Sequence, residues 1–141
     1  MKTSIGIKQE NLSKVTEILS VVLADEFVLL TKTKKAHWNV EGADFYNKHL
    51  FFEQQYNQLD EIVDSVAERI RTLGHYAPAS LKEYLALTHL SESILETNDS
   101  LTYMNELLCD HESILIHLRE NINNFASELR DAGTSDYITG L

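Results

Sequence analysis

His37, His49, Glu53, Asp64 and Glu68 are the residues of this chain whose types and spacing could do chemistry. Two imidazoles and three carboxylates fall in the most amphipathic part of the sequence, and His, Asp and Glu together form the ligand set of iron, manganese and zinc. On a helix, His49 and Glu53 stand i,i+4 and share a face, as do Asp64 and Glu68. His49 and Asp64 are fifteen residues apart. On one helix, a rise of about 1.5 Å per residue separates them by roughly 22 Å. No single metal ion spans that gap, so within one chain the imidazole half and the carboxylate half cannot meet.

The elements that must position these residues are legible from the apolar pattern. Leu12, Val15, Leu19, Val22, Leu23, Glu26, Leu30 and His37 follow steps of three, four or seven and predict a long helix over about 8–39. Phe45, Phe52, Tyr56, Leu59, Val63, Val66, Ile70 and Leu73 predict a second over about 44–73, capped by Asp44 and closed by Gly74. Gly42 makes the turn between them. Helices joined by so short a loop run antiparallel, which brings His37 near His49. Two copies of the second helix, packed antiparallel about a two-fold axis near Asn57, would set His49 of one chain opposite position 66 or so of the other. An isologous dimer of that kind carries two identical metal sites, each built from both chains.

The run His37-Trp38-Asn39-Val40-Glu41-Gly42, then Phe45, His49, Phe52-Glu53, Tyr56, Leu59, Asp64 and Ala67-Glu68-Arg69 resembles the signature of the Dps mini-ferritins. The match is dense over about a quarter of the chain. The remainder agrees in helix order and lengths. The resemblance implies oxidation of ferrous iron at sites between subunits and storage of the ferric product in a twelve-subunit shell built from two-fold dimers. It implies a two-histidine half at His37 and His49, an acidic half at Asp64 and Glu68, and a further carboxylate at Glu53. Hydrogen peroxide is the oxidant it favours over O2, which makes the protein a ferroxidase-type oxidoreductase. Trp38, beside His37, could intercept a stray oxidising equivalent, or simply pack at the dimer contact. Asp131 and Asp136 fall where the resembling proteins carry three-fold pore carboxylates.

The fold class that follows is all-α: one ferritin-like antiparallel bundle over 1–141, with a short crossover helix between the second and third long helices. The crossover, from His75 to Asn98, carries a short helix near 80–87 and lets the third long helix run parallel to the second. That third helix is expected over about 98–131, capped by Asn98 or Asp99, with a stripe of Leu101, Met104, Leu108, His111, Leu115, Leu118, Ile122, Phe125 and Leu129. Gly133 is expected to end it. Thr134-Ser135-Asp136 then reads as a new N-cap, opening a fourth helix cut short at the chain end and so a domain that is C-terminally incomplete.

Composition narrows the remaining classes. The 141 residues are 43% hydrophobic with one Pro and five Gly, which suits a compact helical domain. A net charge of −10 opposes strong binding to nucleic acid or to anionic membrane and favours attraction of cations. No signal-type apolar core follows the N-terminus and no apolar run is long enough to span a membrane, so a cytoplasmic location is expected. The alternative function is a DNA-compacting shell protein. Its lead-in offers only Lys2 and Lys8, so DNA binding would be weak and salt-dependent.

Several residues read as structural. Cys109 is expected to be a buried or half-buried thiol, and Lys32, Lys34 and Lys35 a solvated cluster near a helix C-terminus. His75 and His89 read as loop histidines, His111 as a hydrogen-bonded core histidine and His117 as exposed. No Glu or Asp is followed three residues later by His, which disfavours the di-iron plan contained in a single bundle.

Overall fold

The computed structural model describes residues 3–92 and 95–141; Lys2 lies outside them. The helices are α1 (Gln9–Asn39), α2 (Phe45–Thr72), α3 (Leu81–Leu87), α4 (Ser100–Asn123) and α5 (Ala132–Thr139). A π-helical turn, Asn124–Glu128, prolongs α4. This is the all-α bundle expected, with α3 as the crossover helix, its first turn capped by Ser80. No helix among the described residues is long and apolar enough to cross a membrane.

Helix α1 is the centre of the bundle and packs against α2, α3 and α4. Every residue of its expected stripe is buried, from Leu12 to His37. Direction follows from one end of the molecule. The Glu41 N–H donates to the Asn98 carbonyl at 3.0 Å, and the Ser100 hydroxyl donates to Asp44. The start of α4 therefore lies beside the end of α1 and the start of α2, so α4 runs antiparallel to α1 and parallel to α2. Gly74 takes a left-handed φ of 88° after α2, and a Cβ there would lie 2.5 Å from the Thr3 hydroxyl, which itself donates to the Leu73 carbonyl. Both the conformation and the close approach require glycine.

Several local expectations are corrected, while Asp99 of the two expected caps for α4 is borne out. Asp44 makes no capping hydrogen bond, because its carboxylate receives the Ser100 hydroxyl instead. Asp99 does cap α4, taking the Thr97 and Thr102 hydroxyls and the Thr102 N–H, and these hold its pKa down to about 2. The buried face of α4 is Tyr103, Leu107, Ile114 and Leu118, so Leu101, Leu108, Leu115 and Cys109 of the expected stripe and its neighbourhood are exposed. The two faces of α4 are both apolar, and periodicity alone does not choose between them. Lys32 is not solvated: its side chain is 10% exposed, pairs with Glu106 and Asp110 of α4 and donates to the Ser91 carbonyl.

Gly133 does not end the third long helix. Arg130, at φ 52°, is the left-handed residue that does, and the Asp131 N–H closes back on the Phe125 carbonyl at 2.7 Å in a Schellman-type turn. Asp131, rather than Thr134-Ser135-Asp136, caps α5 by accepting from the Thr134 N–H and hydroxyl. Gly133 lies inside α5, where a Cβ would stand 3.1 Å from the Arg69 guanidinium. Arg69 donates to the Thr134 hydroxyl, and Tyr137 shares a hydrogen bond with Ser65, so α5 is tied to α2.

Candidate metal centre

The end of α1 and the beginning of α2 bring His37 and His49 together. Their rings stack with centroids 3.8 Å apart and planes 19° from parallel. Nδ1 of His37 is 2.8 Å from the His49 carbonyl, and Nδ1 of His49 is 2.8 Å from the His37 carbonyl. A carbonyl oxygen only accepts, so each Nδ1 carries the proton and donates. The neutral ring then presents a lone pair at Nε2, the arrangement in which imidazole binds a metal ion. Phe45 stacks on the other face of His49, and Tyr56 meets His37 edge-on. His37 is 7% exposed. The pair is thus fixed in tautomer and orientation by its own backbone before any ligand arrives.

The carboxylates are placed differently. Glu53 is half-buried one turn beyond His49, while Asp64 and Glu68 are exposed. Unbroken helix connects His49 to Asp64, so the roughly 22 Å set by helical rise applies. Asp64 lies on an open groove between α2 and the crossover, with Asp60, Glu61 and Ala77 among its neighbours. Asp64 and Glu68 make no hydrogen bond or ion pair among the described residues. Nor do any three His, Cys, Asp or Glu side chains among those residues group to hold a metal ion. Each chain brings together the imidazoles and leaves the acidic pair apart from them.

Trp38 is 69% exposed beside the imidazole pair. Asp131 is 3% exposed, engaged in capping α5 and 3.8 Å from the Arg69 guanidinium. Asp136, one turn into α5, is exposed. His111 is half-buried, and burial lowers its pKa against the opposing charge of Asp110. It makes no hydrogen bond among the described residues, in contrast to the core histidine expected. His75 lies in the loop after α2. His89, expected in a loop, and His117, expected exposed but half-buried, stack on each other.

One titratable group on the stripe of α1 carries more than packing. Glu26 is 5% exposed, and burial, then the charge of Asp25, raises its pKa to about 7. Its field reaches Tyr137, whose pKa is raised chiefly by burial. The signal was present in the sequence as an acid at an apolar position of the repeat.

Residues 16–141 match the family model described as a ferritin-like domain. A low temperature-induced protein of Nostoc sp. is 37% identical over 140 residues, spanning 99% of this chain and 78% of that protein. DNA protection during starvation protein 2 of Bacillus anthracis is 33% identical over 129 residues, spanning 91% of this chain and 86% of that one. Among solved structures, the Dps protein of Vibrio cholerae O1, described as a member of a broad superfamily of ferritin-like diiron-carboxylate proteins, superposes with a TM-score of 0.90. It is 29% identical, with 99% of this chain and 87% of that chain covered.

Proposed function

The chain belongs to the Dps mini-ferritins of the ferritin-like family, and from that premise we propose that it oxidises ferrous iron at sites shared by two chains and stores the ferric product in a hollow shell. The observation that carries this reading is the reciprocal hydrogen bonding of His37 and His49, which aims two Nε2 lone pairs from one chain and leaves the carboxylates to come from another. Iron is the substrate. Ferrous ion accepts imidazole together with carboxylate, and anionic ligands favour the ferric product as positive charge grows. His37 and His49 bind from one chain, Asp64 and Glu68 from its two-fold mate, and Glu53 adds a further carboxylate near the imidazoles.

Hydrogen peroxide is the proposed oxidant. Two Fe2+ each give up one electron, and peroxide takes both electrons with two protons to leave as two waters, so no hydroxyl radical is released. Trp38, exposed beside His37, would reduce a stray one-electron oxidant before it escapes. Two-fold dimers assemble into a twelve-subunit shell, and Asp136 helps conduct Fe2+ inward. Relatives are named for DNA protection. With a net charge of −10, this chain protects DNA by removing Fe2+ and peroxide rather than by coating it.

The test is stopped-flow oxidation of Fe2+ by the assembled protein with peroxide or with O2 as oxidant. Two Fe2+ consumed per peroxide, faster than with O2 and without hydroxyl-radical trapping, supports the reading. Binding of Fe2+ with no oxidation above the protein-free rate contradicts it.

A further inference from the structure

We infer that Tyr46 is a positioning residue of the iron site: its hydroxyl donates to Glu68 of the partner subunit and holds that carboxylate toward the imidazole pair. The inference rests on the proposed two-chain site and names a further residue of it.

Tyr46 lies in the first turn of α2, three residues before His49. It is 71% exposed, and its hydroxyl makes no hydrogen bond among the described residues. Its place along the helix is specific. Tyr46 and Asp64 are eighteen residues apart, which is five whole turns at about 3.6 residues per turn, so they leave α2 in the same direction. Glu53 follows Tyr46 by seven residues, and Glu68 follows Asp64 by four, so both fall on the same side. Tyr46 therefore brings a hydroxyl to the stripe of α2 that carries the carboxylates.

Within one chain Tyr46 and Glu68 stand roughly 33 Å apart along the helix, so only a second copy can bring them together. Antiparallel pairing that sets His49 opposite position 66 or so sets Tyr46, three residues earlier, opposite position 69 or so. Arg69 is already bound to Thr134 of its own chain, and Ile70 is buried. The exposed Glu68 is left as the counterpart. The same pairing sets Asp64 against Leu50 and Phe51, which have no donor to offer. A carboxylate that binds a metal ion is itself ordinarily hydrogen-bonded, and that bond fixes its direction. Glu68 finds no such donor in its own chain among the described residues. The Tyr46 hydroxyl supplies one, and as a neutral group it adds no positive charge against the incoming Fe2+.

The experiment is titration of the assembled protein with Fe2+ in the absence of oxidant, so that no turnover enters the reading. Tyr46→Phe keeps the ring and removes the hydroxyl alone. It is expected to leave assembly unchanged by sizing and to weaken Fe2+ binding about 10- to 100-fold. Wild-type affinity in Tyr46→Phe overturns the inference. His37→Ala with His49→Ala, run alongside, separates the two readings. If the histidine variant loses Fe2+ and Tyr46→Phe does not, the shared site stands and the role of Tyr46 falls. If the histidine variant binds as wild type does, the shared site falls and the role of Tyr46 falls with it. If Tyr46→Phe does not assemble, crystals of the wild-type protein decide. A Tyr46 hydroxyl within about 3.0 Å of Glu68 of the partner subunit supports the bond, and a separation beyond about 3.5 Å rejects it.

Discussion

At the start of α2, His49 is stacked between Phe45 and His37 and hydrogen-bonded to the end of α1. About four turns further on, Asp64 and Glu68 stand exposed and bond to nothing among the described residues. Some acids elsewhere in the chain are partnered: Asp110 and Glu106 hold Lys32, Asp25 holds His89 and Asp131 caps α5. On the proposed reading, Asp64 and Glu68 are the carboxylate half of a site that a second chain completes. The imidazole pair, by contrast, is held in place by its own chain.

The largest effects should separate the two regions by stability rather than by activity. His37→Ala with His49→Ala, and Asp64→Ala with Glu68→Ala, are each expected to slow iron oxidation by at least about 100-fold, more than loss of an outer-shell partner does. Urea unfolding should distinguish them. The histidine variant loses a stacked, hydrogen-bonded ring pair, one ring of it buried, and should cost about 2–4 kcal/mol. The carboxylate variant, changing exposed groups, should stay within about 0.5 kcal/mol of wild type. Equal destabilisation would erase the contrast between the two ends of α2.

Lys32→Met tests the partnered acids. It removes the cation that Asp110, 13% exposed at the side chain, is paired with. A loss of about 3 kcal/mol is expected, measured by the same unfolding assay, whereas matching changes at Asp64 should do almost nothing.

Glu26 is a third kind of acid, buried without a cation. Its pKa is raised from 4.5 to about 7 by burial and by Asp25. A raised folded-state pKa means that its contribution is full below the unfolded value near 4.5 and is lost as pH rises through about 7. Glu26→Gln should therefore match wild type at low pH and exceed it by about 2–3 kcal/mol at pH 8. Thermal melts across that range check it, and parallel pH profiles for the two proteins would show that Glu26 is not the cause.

The smallest effect is expected at Arg130, whose φ of 52° would suit glycine. Arg130→Gly relieves a left-handed strain of about 1 kcal/mol but adds chain entropy to the unfolded state. A rise in stability below about 1 kcal/mol is predicted, read as a small upward shift in the melting temperature.

How far the sequence reached depended on whether local pattern had competition. The stripe of α1, the turn at Gly42 and the stop at Gly74 were all legible, because periodicity and glycine chemistry there point to one answer. So was the meeting of His37 and His49, since a short loop allows little else. Helix α4 was misread because Leu101, Leu108 and Leu115 offer a second apolar face that only packing can reject. The close of α4 was misread because a glycine three residues on, Gly133, is a stronger local signal than an arginine in a left-handed turn. Lys32 and the pairing of His89 with His117 were hidden for another reason: each joins positions distant in sequence, which spacing cannot bring together. The proposed two-chain site was reached by the opposite route, from a distance along one helix too long for one metal ion.

That two-chain site is tested most directly by mixing. The histidine variant and the carboxylate variant, each inactive alone, are co-refolded and their iron oxidation is measured, after circular dichroism and sizing show that mixed dimers form. In a heterodimer one site lacks both halves and the other is entirely wild-type, so up to about half of the wild-type activity per heterodimer should return. Mixed dimers that form, keep their helices and stay inactive would contradict a site built from two chains.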